Sequence, residues 1–384
     1  MNVEKTSVKP ITKMLLIAFC VLIWFVGFTY STGFGQSYEI LDKSKIMVVA
    51  IFLYCIVVYH KKYNFTLGNV FVAFLIVYMI IINEWRNGKS IENYIWVWLL
   101  IPIMKMFPVH EAQFKLIGFA YGVASIGVLF IGNVTSIFDG WDGNSVSMVQ
   151  FFSYTVFMAS LADTKEKKNI RNIIIYSAVY LYLLTAFESR SAQLFSIIML
   201  LCMLSVIPFR KFYGKPLILM ALLFPLVIAV VIVLVKDMPM VEALNNWSYD
   251  TFNKPIFNGR DTIWQMGFET WMKNPLIGNG NMNHYGYHNS AISALVGAGG
   301  IGYIILILAC YKILSRAIKW IGDGIVYGLA TAFLIIWMQQ SVELGMIAAE
   351  PNIIPYMILG LLYARINTLE YESREIGETK TSGL

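Results

Sequence analysis

His288 and Asn289 stand where a long polar stretch gives way to the apolar run AISALVGAGGIGYIILILAC. Histidine is the side chain best placed in pKa to take a proton near neutrality, so His288 is a candidate general base; the plainer alternative is an interfacial histidine with no task. His284, four residues earlier, is a candidate partner or simply loop. Arg190 lies in FESRSAQ, in a hairpin so short that its guanidinium must sit in or beside the membrane. A charge there is costly and marks a candidate site, with snorkelling to headgroups or pairing with Glu188 as the competing explanation. Arg260, in FNGRDTIW, is an ordinary loop arginine taken alone. Two arginines and a histidine on one face point together to a phosphate-bearing substrate. The guanidinium fork grips phosphate oxygens in pairs and, always charged, stabilises a leaving diphosphate without a metal. Glu343 and Glu350 bound the outer loop between the last two apolar runs and are candidates for orienting an arginine. Asp139 and Asp142, in FDGWDGN, come nearest to a magnesium site but read as a solvated turn, so no metal and no cofactor are expected.

These residues must be positioned by membrane helices. The 384 residues are 58% hydrophobic and 14% charged, against about 25% charged in a soluble domain, and each long apolar run reads as one helix. The reading is an all-α polytopic membrane protein, one membrane domain over 1–384. Its twelve spans fall at 14–35 and near 46–59, 69–83, 94–107, 116–132, 146–162, 173–187, 194–208, 216–235, 291–311, 325–342 and 352–364. Cys20, Cys55, Cys202 and Cys310 lie inside such runs without metal or redox spacing and are expected to be reduced core residues. The net charge of +6 does not indicate nucleic acid, because the basic residues are scattered through short loops. With a cytoplasmic N-terminus, 20 of the 29 Lys and Arg fall on the inside, which also holds the polar tail 367–384 and places the long loop 236–290 outside. Trp85, Trp96, Trp98, Trp320 and Tyr327 read as interfacial anchors. Within the loop, Trp264, Phe268, Trp271 and Met272 follow Asp261 at helical spacing, which predicts an amphipathic helix on the outer leaflet. Ala294, Ala298 and Gly302 form a small-residue stripe for close helix packing or for a lipid chain.

The spacing His288-Asn289, nine residues, Gly299, two residues, Gly302 resembles the signature of the O-antigen ligase and O-antigen polymerase (Wzy) superfamily. In that family His is followed by Asn, Ser or Gln, and the second glycine position admits Gly, Thr or Tyr. NGRDTIWQMGFETWMKNPLIGNG resembles the family's loop segment, ESRSA its serine-arginine motif, and Gly143 to Ser145 a weaker feature. The resemblance covers the architecture and about residues 140–305. It implies a GT-C-type membrane glycosyltransferase of the bacterial inner membrane, with its site on the periplasmic face and a glycan on undecaprenyl diphosphate as donor. By the same resemblance Arg190 and Arg260 hold the diphosphate and His288 activates the acceptor hydroxyl; Asn289, His284 and Glu343 are the candidate supporting residues beside them. Transfer would be inverting; a chain-length regulator and a flippase are the implied further partners.

A polymerase acting on lipid-linked repeat units is the first expectation, and a ligase whose acceptor is a lipid A core sugar the second. A flippase for lipid-linked oligosaccharide is the alternative of another class, but it calls for charged sites near the bilayer midplane and two related halves. A glycan synthase of the shape-elongation type would place a catalytic carboxylate in the large loop, where Glu242, Asp250, Asp261 and Glu269 stand.

Overall fold

A computed structural model describes residues 10–32, 66–86, 92–135, 142–163, 166–187, 189–252, 255, 257, 259–280, 286–343, 345–347 and 351–381. Among them there is no strand. The helices are α1 (Pro10–Thr32), α2 (Leu67–Trp85), α3 (Glu92–Lys105), α4 (Glu111–Val134), α5 (Gly143–Ser160), α6 (Lys167–Leu184), α7 (Arg190–Met203), α8 (Lys215–Val235), α9 (Pro239–Phe252), α10 (Arg260–Met272), α11 (Ser290–Trp320), α12 (Gly324–Gln339) and α13 (Ile354–Thr381). Five of them, α2, α4, α6 with the turn that follows it, α8 and α11, are long and apolar enough to cross a membrane, and shorter apolar stretches lie in α1, α3, α7 and α12. The chain is thus an all-helical membrane protein. The span expected at 46–59 lies outside the described residues.

Burial separates centre from rim. In α5 14 of 18 residues are buried and in α12 14 of 16, so these two helices form the middle of the bundle. By contrast α2, α6 and α8 leave Phe74, Ile81, Ile174, Ile175, Met220 and Leu234 exposed, as lipid-facing helices do. Because α5 is enclosed, it tolerates Ser147, Ser153, Tyr154 and Thr155 on its faces, each satisfied by a neighbouring acceptor such as the carbonyl of Val149 for Ser153. The small-residue stripe of α11 is a packing surface. Gly302 lets the ring of Tyr78 approach, and Tyr78 donates to the carbonyl of Ala298 at 2.8 Å.

Far from Ser290, at the other end of α11, charges are paired as burial demands. The fully buried Lys105 donates to Asn69 Oδ1 at 2.9 Å and lies 4.4 Å from the centre of the Tyr363 ring. Arg316 bonds Glu370, and Arg365 bonds Asp323 at 2.6 Å. This knot ties α2, α3, α11, α12 and α13 together.

Several expectations need correction. The stripe Trp264, Phe268 and Trp271 of α10 faces protein: Trp264 is buried with Ala229, Tyr287, Ile292 and Val296, while Phe268 and Trp271 pack beside them. The helix with an exposed apolar stripe is α9, through Met240, Leu244 and Trp247. Trp98 and Tyr327 are buried, Trp98 against the edge of Tyr356 at 5.1 Å, and are not interfacial anchors. The tail beyond 367, expected to be loose, continues α13 as helix to Thr381. Cys20, Cys202 and Cys310 are buried and free, and Cys55 lies outside the described residues.

Candidate active site

His288 is held from both sides. Before it, Trp264 donates its indole N–H to the carbonyl of Tyr287 at 2.5 Å. After it, the fully buried Asn289 caps α11: its Oδ1 accepts from the N–H groups of Ala291 and Ile292 at 2.9 and 3.1 Å. Asn289 also donates through Nδ2 to the carbonyls of Pro225 and Ser341, both at 2.9 Å. All four hydrogen-bonding positions of the amide are used, which anchors the start of α11 to α8 and to the turn after α12. Between these clamps His288 has a φ of 46°, a left-handed conformation uncommon outside glycine that persists only where the surroundings impose it.

The glycines of the motif have a different task. At Gly299 α11 is broken, with φ 68° and ψ −177°, and the turn Pro275–Gly280 docks into the break. The N–H groups of Asn279 and Gly280 donate to the carbonyls of Val296 and Gly297, and those of Gly300 and Ile301 to Pro275 and Leu276, at 2.8–3.0 Å. A Cβ on Gly299 would stand 2.3 Å from the Leu276 carbonyl oxygen, so only glycine serves both the conformation and the close approach. Gly267, an ordinary helical residue, allows a similar close approach of α10, where a Cβ would come within 2.4 Å of Ile292. The long polar segment is thereby fixed to the first turns of α11, and Arg260 with it.

Glu343 is the junction. One of its carboxylate oxygens, Oε1, accepts from Arg260 Nη2 at 3.1 Å and from Ser191 Oγ at 2.9 Å. Ser191 is the second residue of α7, whose first is Arg190, and Arg260 is the first residue of α10. Asp142 caps α5, accepting from the N–H groups of Asn144 and Ser145, and its charge acts on His288 together with those of Arg260 and Glu343. Burial, and then Arg260, push the His288 imidazole below the ordinary histidine value, while Glu343 and Asp142 oppose that shift. The N-termini of α5, α7, α10 and α11 therefore lie at one end of the bundle; those of α7 and α10 carry no side-chain cap, and their dipoles favour an anion.

Of the candidates read from sequence, Arg260, Glu343 and His288 are brought into one electrostatic neighbourhood, and Asn289 holds it from beneath. Arg190 is exposed beside Ser191 and has no hydrogen bond or ion pair among the described residues. His284, Glu188, Asp139 and Glu350 lie outside the described residues. Asp142, read with Asp139 as a solvated turn, is exposed and also caps α5; the signal for the cap was the Asp-x-x-Ser spacing that opens the helix. Ser191 was inside the ESRSA motif, and nothing in its type alone distinguished it.

The fold and this end of the bundle define a class: a helical membrane protein with arginines and a partly buried histidine gathered at helix N-termini. Residues 175–307, about a third of the chain, match the family model for O-antigen ligase, the family the motifs resemble. That family carries ligase- or polymerase-type glycosyl transfer on lipid-linked glycans. The matched segment contains Arg190, Arg260 and His288; Asp142 and Glu343 lie outside it. No curated protein matches the chain.

Proposed function

We propose that this bacterial membrane protein is a polysaccharide polymerase. It transfers a growing glycan from undecaprenyl diphosphate to the non-reducing end of a lipid-linked repeat unit. The observation that carries the reading is the meeting of Arg260, Glu343, Ser191 and His288 where four helices begin. Arg190 and Arg260 hold the donor diphosphate, and Glu343 sets the direction of the Arg260 fork. His288, left neutral near pH 7 by its lowered pKa, takes the proton of the acceptor hydroxyl as that oxygen attacks the anomeric carbon. The bond from that carbon to the diphosphate breaks on the opposite face, configuration inverts, and the charge on the leaving diphosphate is met by permanent guanidinium cations. The energy is already in the donor linkage, so no nucleotide is consumed.

The compact connection between α8 and α11, two helices long, supports an acceptor that is itself lipid-linked. The same reading takes twelve spans, with both termini in the cytoplasm and the site on the periplasmic face of the inner membrane, an orientation supported by the distribution of Lys and Arg. The test is the glycan profile of a strain lacking the protein, complemented with wild type or His288→Ala. Single repeat units with no ladder are expected from the deletion and from His288→Ala. Complete polymer stranded on the lipid carrier would assign the ligase branch instead, and an unchanged profile would remove both.

A further inference from the structure

The same Glu343 oxygen that accepts from Arg260 also accepts from Ser191 at the first turn of α7, beside Arg190. Neither α7 nor α10 has a side-chain cap of its own, whereas α5 and α11 are capped by Asp142 and Asn289. The acceptor at the α7 terminus is a carboxylate from the distant turn after α12. That turn is rigidly built, since Gln340 Oε1 accepts from the N–H groups of both Gly345 and Met346 at 2.8 Å. Gln340 is itself fully buried, so the support beneath Glu343 is fixed. Arg260 is the more exposed partner, its side chain 22% exposed against 11% for Glu343. Glu343 thus presents its negative charge where a helix N-terminus and two arginines would receive phosphate oxygens.

We propose that Glu343 is the resident anion of the diphosphate seat: Arg260 leaves it for the donor diphosphate on binding and returns to it when the polyprenyl diphosphate product departs. This rests on the reading of Arg260 as a diphosphate ligand. Glu343 is here a positioning residue with two effects. It keeps Arg260 neutralised in the empty protein, and it competes with the spent diphosphate so that product is released. The electrostatics around His288 link the two events. Once Arg260 is neutralised by the donor, the cation acting against His288 is offset while Glu343 and Asp142 still favour it, so the base strengthens when the donor is in place.

The test is the affinity of the purified full-length protein for inorganic pyrophosphate and for undecaprenyl diphosphate, in wild type, Arg260→Ala, Glu343→Gln and Ser191→Ala. Arg260→Ala should weaken pyrophosphate binding by about tenfold or more, as loss of a charge-assisted fork does. Glu343→Gln should tighten it by roughly three- to tenfold, the scale of removing one partly screened like charge. In turnover the same variant should lower the donor KM and also lower kcat, because product lingers. Ser191→Ala, which frees the carboxylate from one bond without deleting it, should shift affinity less than threefold, in the same direction, and covers the case in which Glu343→Gln does not fold. Binding in Glu343→Gln or Ser191→Ala that equals or falls below wild type, with Arg260→Ala weaker still, would reduce Glu343 to a brace and overturn the proposal. Wild-type binding that ignores Arg260→Ala would instead remove the diphosphate seat itself, and this proposal with it.

Discussion

Glu343 and Arg260 form an ion pair of 3.1 Å that joins the turn after α12 to the first residue of α10, 83 positions apart in the chain. Both groups act on His288, with opposite signs. The pair therefore couples the proposed diphosphate ligand Arg260 to the proposed base His288.

The pH profile should carry the mark of that pair. A base works only when unprotonated, so activity is lost as pH falls through the His288 pKa. Because burial and Arg260 lower that pKa, the acid limb should lie below the ordinary value of 6.5. Glu343→Gln removes a charge that raises it and should move the limb to lower pH; Arg260→Gln removes one that lowers it and should move the His288 titration upward. Imidazole titration by NMR reads both shifts independently of turnover.

Arg190→Lys should lose most activity, because a single ammonium does not replace a fork that grips two oxygens. A fall in kcat/KM of roughly 10- to 100-fold is the scale of one charge-assisted hydrogen-bonding group. Steady-state kinetics check it, and a rate near wild type would remove Arg190 from the site.

Two structural substitutions should act on stability. Asn289→Ala deletes the cap of α11 and strands the carbonyls of Pro225 and Ser341, a loss of about 2–4 kcal/mol. Gly299→Ala forces a Cβ toward the Leu276 carbonyl at a left-handed φ, costing on the order of 1–3 kcal/mol from the backbone alone. Thermal unfolding in detergent should show both, and His288→Ala should fall well short of either.

Chelators should leave the transfer rate unchanged, since the proposed counter-charge to the diphosphate is guanidinium. Loss of activity in EDTA that magnesium restores would contradict that assignment.

Much of this was legible in the sequence, and the limits have physical causes. Long apolar runs gave the helices, and the His-Asn-Gly-Gly spacing led to the start of α11. Apolarity does not say whether a face meets lipid or protein, because both are apolar, and so the Trp264 stripe and Trp98 were assigned to the wrong surroundings. Asn289 looked like a partner in chemistry but is spent on four hydrogen bonds, which become visible only when Pro225 and Ser341 are brought beside it. Gly299 was read as a motif letter; its reason is a turn 20 residues upstream that docks into a broken helix.

The most direct test is glycosidic bond formation by the purified protein, supplied with lipid-diphosphate-linked repeat units and no ion gradient. Wild type should build longer glycan on the carrier. His288→Ala should bind the donor with near wild-type affinity yet form bonds at least ~100-fold more slowly, the scale of a lost general base. Unimpaired bond formation by His288→Ala, or a wild-type protein that moves lipid-linked glycan without joining it, would contradict the account.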